Sequence, residues 1–286
     1  GNILDRTNSD NNNSARGGAI FSQDHYQGEP ITRIVRCIFK NNIAKSNRGA
    51  YGGAISINYA PFHIVNSLFY NNTAHSNYNN ATQSYGSHGA AIYSYGLRSY
   101  DNSISDGVSG EGRIINSTIV DNHIKSDNAN SGGHYGAGVY VQGSDSAEKL
   151  YAFNNIVWGS TSSQQSIDEP NLDAYIDNLT LINDYNNIKG KSNDASRGDH
   201  SPVIDPGFVN ASAGDYSLSE ASHLIGAGTA TFDGVSAPTN DILGNVRPNP
   251  SGTNIDIGAY ESALGASPYP SPVKNVVAES FGGGVN

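Results

Sequence analysis

The chain has 286 residues, of which 36% are hydrophobic, and it carries a formal net charge of -10 at neutral pH. Lysine and arginine are scattered singly, so the sequence shows no basic face for nucleic acid or for an anionic membrane surface. No run approaches the roughly 18 apolar residues of a membrane-spanning helix, so we expect no direct membrane insertion. No long window repeats apolar residues three and four positions apart, and we expect less than about a tenth of the chain to be helical.

The chain begins with a polar segment, residues 1–16, which we expect to be mostly loop. From residue 17 onwards a glycine element recurs in four copies: GGAI at 17–20, GGAI at 52–55, GAAI at 89–92 and GAGV at 136–139. A short alternating stretch follows each glycine turn, which is typical of a β-strand.

A second element recurs after each glycine copy and aligns in columns. Its copies are VRCIFKNN, VNSLFYNN, INSTIVDN and FNNIVWGS. We expect three columns to point inward: Val35, Val65, Ile115 and Phe153; Cys37, Ser67, Ser117 and Asn155; Phe39, Phe69, Ile119 and Val157. Intervening residues such as Asn66 and Leu68 should face outward. A following asparagine tolerates left-handed backbone and can form ladders of side-chain amides: Asn42, Asn72 and Asn122.

Fixed columns with irregular spacing indicate strands that stack while the loops between them vary. We therefore predict an all-β fold, a single-stranded right-handed parallel β-helix over residues 17–261 with an irregular C-terminal closing segment. About ten turns at a strand spacing of about 4.8 Å would give a rod roughly 50 Å long. Residues 262–286 are rich in Pro, Ser and Gly, and we expect a linker towards an anchor or further domain of the same chain.

Four motifs in the last third of the chain carry a family resemblance. They are IDPGFVN (204–210), GDYSLSEASHLIGAG (214–228), DILGNVRP (241–248) and DIGAYE (256–261). With the glycine repeats, they resemble the bacterial choice-of-anchor Q β-helix family, and the repeats are also similar to those of polymorphic outer-membrane proteins. Gly226 stands where that pattern leads us to expect an acidic residue. The resemblance implies secretion, a bacterial cell-surface location and a variable anchor, but it implies no activity.

Carboxylates are the first candidates for chemistry, because β-helix lyases and hydrolases use them in a surface groove. Asp205, Asp215, Asp241 and Asp256 lie beside Gly or Pro, and we interpret them as turn caps rather than catalysts. A second group lies in a loosened region and is interpreted as solvated loop charge: Asp184, Asp194, Asp199, Lys189, Lys191 and Arg197. A glycosidase pair needs carboxyl groups about 5 to 9 Å apart, which leaves that alternative open.

Histidines give a weaker signal for a metal site. His75, His88, His123 and His134 lie near insertions or glycine elements, but none shows a close His-x-His or His-x3-His spacing. Calcium is possible in an acidic secreted protein, although no specific calcium motif is present. We expect no other cofactor and predict no catalytic residue.

Tyrosines are concentrated in the stretch from His75 to Tyr100. Tyrosine with Ser, Gly and Asn is the composition of adaptable binding loops, although the same rings could instead pack over the flank of the solenoid. The predicted ligand-binding residues are Tyr78, Tyr85, His88, Tyr93, Tyr95 and Tyr100.

Two functions remain open. The first is a secreted adhesin or glycan-binding scaffold, whose partner is a glycan or another ligand on a host or neighbouring cell. The alternative is a polysaccharide lyase or glycoside hydrolase of the β-helix type. Apolar and small residues fill the inward columns, and asparagine dominates the outward ones, which favours the non-catalytic scaffold.

Overall fold

A computed structural model describes residues 1–7, 13–23, 31–77, 86–98, 110–127, 134–163, 173–190 and 198–268. Short strands follow one another in a repeating order, and each pass is one rung. The first rung contains β1 (Ile3–Arg6), β2 (Ala15–Arg16), β3 (Ile20–Gln23), β4 (Thr32–Val35) and β5 (Ile38–Lys40). The second rung contains β6 (Ile43–Ser46), β7 (Ala50–Tyr51), β8 (Ile55–Asn58), β9 (Phe62–Val65) and β10 (Leu68–Tyr70).

The next three rungs repeat this order. The third contains β11 (Thr73–Ser76), β12 (Ser87–His88), β13 (Ile92–Tyr95), β14 (Glu111–Ile115) and β15 (Thr118–Val120). The fourth contains β16 (His123–Ser126), β17 (Val139–Gln142), β18 (Lys149–Phe153) and β19 (Ile156–Trp158). The fifth contains β20 (Thr161–Ser162), β21 (Ala174–Asp177), β22 (Thr180–Asp184) and β23 (Asn187–Ile188).

Equivalent strands of successive rungs pair in parallel and form five stacked sheets. Sheet A contains β1, β6, β11, β16 and β20; sheet B contains β2, β7 and β12; sheet C contains β3, β8, β13, β17 and β21. Sheet D contains β4, β9, β14, β18 and β22, and sheet E contains β5, β10, β15, β19 and β23. The prediction of an all-β protein with stacked parallel strands, the arrangement of a β-helix or solenoid, is confirmed.

The extent of stacking differs from the expectation. The parallel strands run from Ile3 to Ile188 and make five rungs rather than about ten, so stacking starts before residue 17 and stops well before residue 261. Residues 1–7 and 13–16 contribute strands of the first rung and not only loop. The difference arises because the last third of the chain does not continue the stack.

Left-handed residues make the corners between sheets. Gly17, Gly52, Gly89 and Gly136 have φ between 58° and 70° and join sheet B to sheet C. A Cβ atom on Gly52 would lie 2.1 Å from the carbonyl oxygen of Ile55, so a side chain cannot fit at this corner. The repeated glycine of the sequence is therefore a corner residue.

The interior of the solenoid is a narrow apolar core. Its buried members include Ile55, Phe62, Ile64, Phe69 and Ile119. The column of Phe39, Phe69, Ile119 and Val157 points into this core, as predicted, and the rings of Phe39 and Phe69 stack at 4.8 Å. The column of Cys37, Ser67, Ser117 and Asn155 also lines the interior, where the free thiol of Cys37 packs partly buried.

An asparagine ladder is confirmed at the corner after sheet E. Asn42 Nδ2 donates to Asn72 Oδ1 at 2.9 Å, and Asn72 Nδ2 donates to Asn122 Oδ1 at 3.0 Å. The left-handed conformation belongs to the preceding residue of each rung: Asn41, Asn71 and Asp121. One residue thus makes the turn, and its neighbour directs an amide inward.

The prediction for the column of Val35, Val65, Ile115 and Phe153 is wrong. These side chains point away from the core: Val35 is 50% exposed, whereas Ile64 and Ile114, one residue earlier than Val65 and Ile115, are buried in the core. The reason is the corner that follows sheet D. Asn66 has φ of 48°, and this left-handed residue interrupts the alternation of inward and outward side chains. Val65 therefore points outward, whereas Ser67 points inward.

Residues 198–268 form a closing segment that packs along the outside of the stack. It contains two antiparallel pairs, β24 (Phe208–Asn210) with β25 (Asp215–Leu218), and β26 (Thr231–Phe232) with β27 (Val235–Ser236). Tyr216, Leu224 and Ile257 pack with Leu68 and Ile156 on the outer face of sheet E. Val235 and Phe232 cover Ile115 and Phe153, which explains the apolar outward column of sheet D.

The closing segment also buries residues that the sequence placed outside. Leu68 is 1% exposed and Asn66 is 2% exposed, although both point away from the core. Asn66 Nδ2 donates to the carbonyl oxygen of Asn240. Of residues 262–286, only 262–268 belong to the described chain, so the predicted linker lies mostly outside the described residues.

Candidate functional site

The outer face of sheet C carries two columns of side chains that are not directed into the core, although Ser56, Asn58, Tyr93 and Tyr140 among them are at most 8% exposed. Alternation places Ile55, Ile57, Ile92 and Val139 inward, so the residues between them face outward. Strand register defines the first column as Phe21, Ser56, Tyr93, Tyr140 and Tyr175. It defines the second as Gln23, Asn58, Tyr95, Gln142 and Asp177.

Tyrosine rings of the first column stack on one another. The ring centroids of Tyr93 and Tyr140 lie 5.1 Å apart, and those of Tyr140 and Tyr175 lie 4.9 Å apart, with interplanar angles of 12° and 11°. In-register parallel strands hold equivalent side chains about one strand spacing apart, which is the distance that stacked rings require. The stack is therefore a direct product of the rung repeat.

Sheet B adds a further column beside these rings, which we call the sheet B column. It consists of the residue that immediately precedes each corner glycine: Arg16, Tyr51, His88 and Tyr135. The Arg16 guanidinium lies 5.1 Å from the centre of the Tyr51 ring, and the Tyr51 ring lies 5.0 Å from Tyr93. The His88 ring lies 4.8 Å from Tyr140. The sheet B column and the tyrosine rings of the first column of sheet C contact each other beside the glycine corner, and together we call them the aromatic wall.

Two adjoining cavities open where the wall meets the first rungs. The tyrosine cavity, of about 310 Å³, is lined by Arg16, Gln23, Asn58, Tyr59, Tyr93 and Tyr95. The first-rung cavity, of about 500 Å³, is lined by Arg6, Asn13, Ser14, Arg16, Phe21, Gln23, Arg48 and Tyr51. Arg16 and Gln23 belong to both. We call the two cavities and the two outward columns of sheet C the groove.

Hydrogen bonds and ring contacts fix the groove side chains. With its amide oxygen turned towards Arg16, Asn58 accepts from Arg16 Nη1 at 2.7 Å. Tyr59 and Tyr95 meet edge to face at 5.4 Å. Tyr140 Oη donates to Gln142 Oε1 at 2.9 Å. Pairs of neighbours along and across the strands therefore hold each other in place, which makes the surface pre-organised for a ligand.

Burial determines the protonation of the wall. It raises the pKa of the Tyr51 and Tyr93 hydroxyls, so both remain neutral hydrogen-bonding groups at physiological pH. Burial, with a smaller contribution from His134, lowers the pKa of His88 to about 3, so this ring is uncharged. Tyr51, Tyr93 and His88 are thus uncharged, and the charge of the described groove comes from its arginines and from Asp177.

The structure brings some predicted ligand-binding residues together. Tyr93 and Tyr95 lie in the groove, whereas His88 packs within the wall behind it. Tyr78, Tyr85 and Tyr100 lie outside the described residues. Sequence reasoning missed Arg16, Gln23, Asn58 and Tyr59. The signal was available in part, because the position before each repeat glycine holds Arg16, Tyr51, His88 and Tyr135.

Three of the four carboxylates of the closing motifs, Asp205, Asp215 and Asp241, cap local turns as interpreted, whereas Asp256 accepts from more distant backbone groups. Asp205 accepts from the backbone N–H of Gly207, and Asp215 accepts from that of Ser217. Asp241 accepts from the backbone N–H groups of Leu243, Asn245 and Glu261. Asp256 accepts from those of Gly226 and Ser262. Gly226 donates its own N–H to a carboxylate, so this position supplies backbone rather than an acid.

The interpretation of Asp184 as solvated loop charge is wrong, because this residue ends β22 and is only 7% exposed. Asp184 accepts from the backbone N–H groups of Tyr185 and His200 and lies 2.8 Å from the His200 ring. Asp199 and Lys189 are also described, whereas Lys191, Asp194 and Arg197 lie outside the described residues.

Of the four histidines considered for a metal, His75 and His123 lie on sheet A and His88 lies on sheet B, whereas His134 lies outside the named strands. His75 pairs with Asp127, His123 lies 2.7 Å from Thr161 Oγ1, and His134 Nδ1 accepts from the backbone N–H of Ser87. Within the described ranges, no group of three or more His, Cys, Asp or Glu side chains is arranged to hold a metal ion.

Comparison with known proteins adds no relative: no family model, curated protein sequence or solved structure matches the chain. A search of the described residues for a helix long and apolar enough to cross a membrane finds none.

Proposed function

We propose that this protein is a glycan-binding module of a secreted bacterial surface protein, and that its ligand lies along the groove on sheet C. The observation that carries the proposal is the second column of that sheet, where the partly exposed Gln23, Tyr95 and Gln142 place amides and a tyrosine ring on the first, third and fourth rungs. Such a surface suits a ligand that is itself a chain of similar units.

Sugar chemistry matches both kinds of side chain in the groove. The apolar CH faces of a pyranose stack on aromatic rings, and Tyr95 and Tyr59 offer rings at the opening of the tyrosine cavity. The amides of Gln23 and Gln142 both donate and accept, so they can pair with sugar hydroxyls. Between the first and fifth rungs the second column of sheet C extends about 19 Å, which is four strand spacings. This length gives room for several sugar units.

The architecture supports a role in display. We infer that the stack is a single-stranded right-handed β-helix, because about 98% of parallel crossover connections have that hand. A stack of short strands is a stiff support, and loops between its strands can vary without disturbing the core. The resemblance to choice-of-anchor Q proteins supports a bacterial cell-surface location, with a glycan of a host or neighbouring cell as the partner.

The test is binding of the purified protein to a glycan array, followed by titration of the best ligand. Tyr95→Ala should weaken binding by about three- to tenfold, the worth of one aromatic stacking contact. Tyr151→Ala is the matched control, since Tyr151 faces outward on sheet D, away from the groove. Equal affinities for the wild type and both variants would remove the groove as the binding site.

The same titration tests the enzymatic alternative. Each active ligand is incubated with the protein and analysed for new reducing ends and for unsaturated products absorbing in the ultraviolet. A binding module leaves the polymer intact. Release of either product by the wild type, abolished by a groove substitution, would establish a lyase or hydrolase and reject the scaffold proposal.

A further inference from the structure

We propose that the first-rung end of the groove binds an acidic group of the glycan, a carboxylate or a sulfate ester, through Arg16 and its two arginine neighbours. This inference rests on the proposed function and specifies the class of ligand. It predicts that the protein selects acidic polysaccharides over neutral polymers of the same backbone.

Chain topology brings the three arginines to one cavity. Arg6 ends β1, Arg16 ends β2, and Arg48 lies in the connection between β6 and β7. Register places Arg6 beside Ser46 on the neighbouring strand, two residues before Arg48, and places Arg16 beside Tyr51. All three side chains line the first-rung cavity. They come from separate parts of the sequence, so the grouping exists only in the folded protein.

The described lining residues of this cavity differ in charge from the chain as a whole. The chain has 26 acidic and 16 basic residues, yet three guanidinium groups and no carboxylate occur among the described residues that line the cavity. Its other described lining residues are polar or aromatic, namely Asn13, Ser14, Phe21, Gln23 and Tyr51. An arginine cluster in a concave, polar site provides a local positive potential that favours an anion.

Arg16 is positioned to present its guanidinium to the groove. The group lies 5.1 Å from the centre of the Tyr51 ring, and Nη1 donates to the Asn58 amide oxygen. A guanidinium held in this way loses little conformational freedom on binding. Its planar fork of N–H donors fits the paired oxygens of a carboxylate or sulfate, to which it forms charge-assisted hydrogen bonds.

The charge of the groove changes from positive at its first-rung end to negative at its fifth-rung end. Arg16 lines both cavities at the first two rungs, whereas Asp177 ends the second column on the fifth rung, where the Tyr175 hydroxyl lies 3.3 Å from its carboxylate. An acidic group therefore belongs at the first-rung end. Neutral portions of the ligand would extend along Tyr95 and Gln142, towards the fifth rung.

The experiment compares matched polymers that differ only in their acidic groups. One pair is polygalacturonate and its carboxyl-reduced neutral form; the other is a sulfated galactan and its desulfated form. Dissociation constants are measured by calorimetry at low and at physiological salt. We expect the wild type to bind at least one acidic polymer about tenfold or more tightly than its neutral partner, with the preference reduced by salt. The pair that shows it distinguishes carboxylate from sulfate.

Substitutions then test which arginines cause the preference for acidic over neutral polymers. Arg16→Gln and, separately, Arg48→Gln should remove most of the preference, which is measured within each variant as the ratio of its dissociation constants for the neutral and the acidic form. Arg33→Gln is the matched control, because Arg33 is a first-rung arginine on sheet D that contacts His63. Thermal unfolding verifies that each variant is folded, and the wild-type comparison of the four polymers does not depend on any variant.

Each outcome has a distinct meaning. Equal binding of acidic and neutral forms would overturn the acidic-group inference while leaving glycan binding in place. An equal loss in Arg33→Gln would place the anion on sheet D and overturn the assignment to the first-rung cavity. Failure to bind any of the four polymers, together with an empty glycan array, would overturn the proposed function itself.

Discussion

Arg247 Nη1 lies 3.4 Å from Glu261 Oε2, and both side chains are completely buried within the closing segment. Arg247 also donates to the carbonyl oxygens of Asp256 and Gly258. The carboxylates of Asp241 and Asp256 belong to the same cluster, so one guanidinium interacts electrostatically with three carboxyl groups. Burial and the neighbouring Asp256 raise the pKa of Glu261 to about 7, and burial also raises the pKa of Asp256.

This cluster predicts a specific pH dependence of stability. The pKa of Glu261 rises from 4.5 to about 7 on folding, so the native state holds a proton that the unfolded state releases. The contribution to the free energy of unfolding is therefore complete below pH 4.5 and is lost as the pH rises towards 7. Glu261→Gln should flatten the fall measured by urea denaturation between pH 5 and 8. Asp173, whose pKa burial raises to about 6, retains a smaller slope in the same direction.

Glu111→Gln is the control for that measurement, because Glu111 lies on sheet D outside the cluster and interacts with Arg113. It should retain the wild-type slope. If Glu261→Gln keeps the same slope as well, the assignment of the titrating group to Glu261 is wrong.

His88 predicts the opposite dependence at lower pH. Burial lowers its pKa from 6.5 to about 3, so acid protonates the unfolded chain before it protonates the folded one. Stability present above pH 6.5 should be lost as the pH falls towards 3. His88→Phe keeps a stacking ring and removes a buried Nδ1 that has no partner among the described residues. The variant should show a smaller acid-induced decrease in melting temperature.

His75→Phe provides the comparison for His88→Phe, since His75 pairs with the exposed Asp127 on sheet A. Its melting temperature should fall with acid as steeply as that of the wild type. A decrease in His88→Phe as large as in the wild type would show that His88 does not limit acid stability.

Phe69 tests the interior of the solenoid. Its side chain is completely buried and stacks on Phe39, so Phe69→Ala leaves a cavity and should lower the free energy of unfolding by about 3 to 5 kcal/mol. Phe21→Ala removes the same atoms from a residue that is 48% exposed, and it should cost about 1 kcal/mol or less. Chemical denaturation of both variants measures the difference, and similar values would argue against the assigned inward direction of Phe69.

Asn72 and its neighbour Asn71 provide a second matched pair. Asn72 Nδ2 donates to Asn122 Oδ1 and to the carbonyl oxygen of Phe39, and Asn72 Oδ1 accepts from the backbone N–H of Asn42. Asn72→Leu leaves these buried groups unpaired and should cost about 2 to 4 kcal/mol. Asn71 is exposed with φ of 54°, so Asn71→Gly should be nearly neutral or stabilising. Denaturation curves in which Asn71→Gly is the more harmful change would contradict the ladder.

These predictions depend on features that the sequence revealed to different degrees. Phe69 and Asn72 were placed correctly because each belongs to a column that keeps its character between copies, apolar for Phe69 and asparagine for Asn72. Val65 was placed on the wrong side, because the pattern does not state that Asn66 is left-handed and interrupts the alternation. The burial of Asn66 depends on Asn240, a partner 174 positions away, which no local pattern indicates.

The residues of the candidate site were also predicted only in part. Tyr93 and Tyr95 were found because the residues around them are rich in tyrosine. Arg16 and Asn58 belong to other rungs, and only the register of stacked strands brings them to the same cavity. A search for chemistry within one stretch of sequence therefore finds part of a solenoid site, and the remaining residues emerge from the alignment of columns.

The closing segment also determines how the molecule carries mechanical load. Asn66, Asn116 and Asn154 each donate a side-chain hydrogen bond to the backbone of this segment, on the second, third and fourth rungs. We expect a pull applied at residue 268 to reach these three rungs together, because the hydrogen bonds connect the segment to each of them.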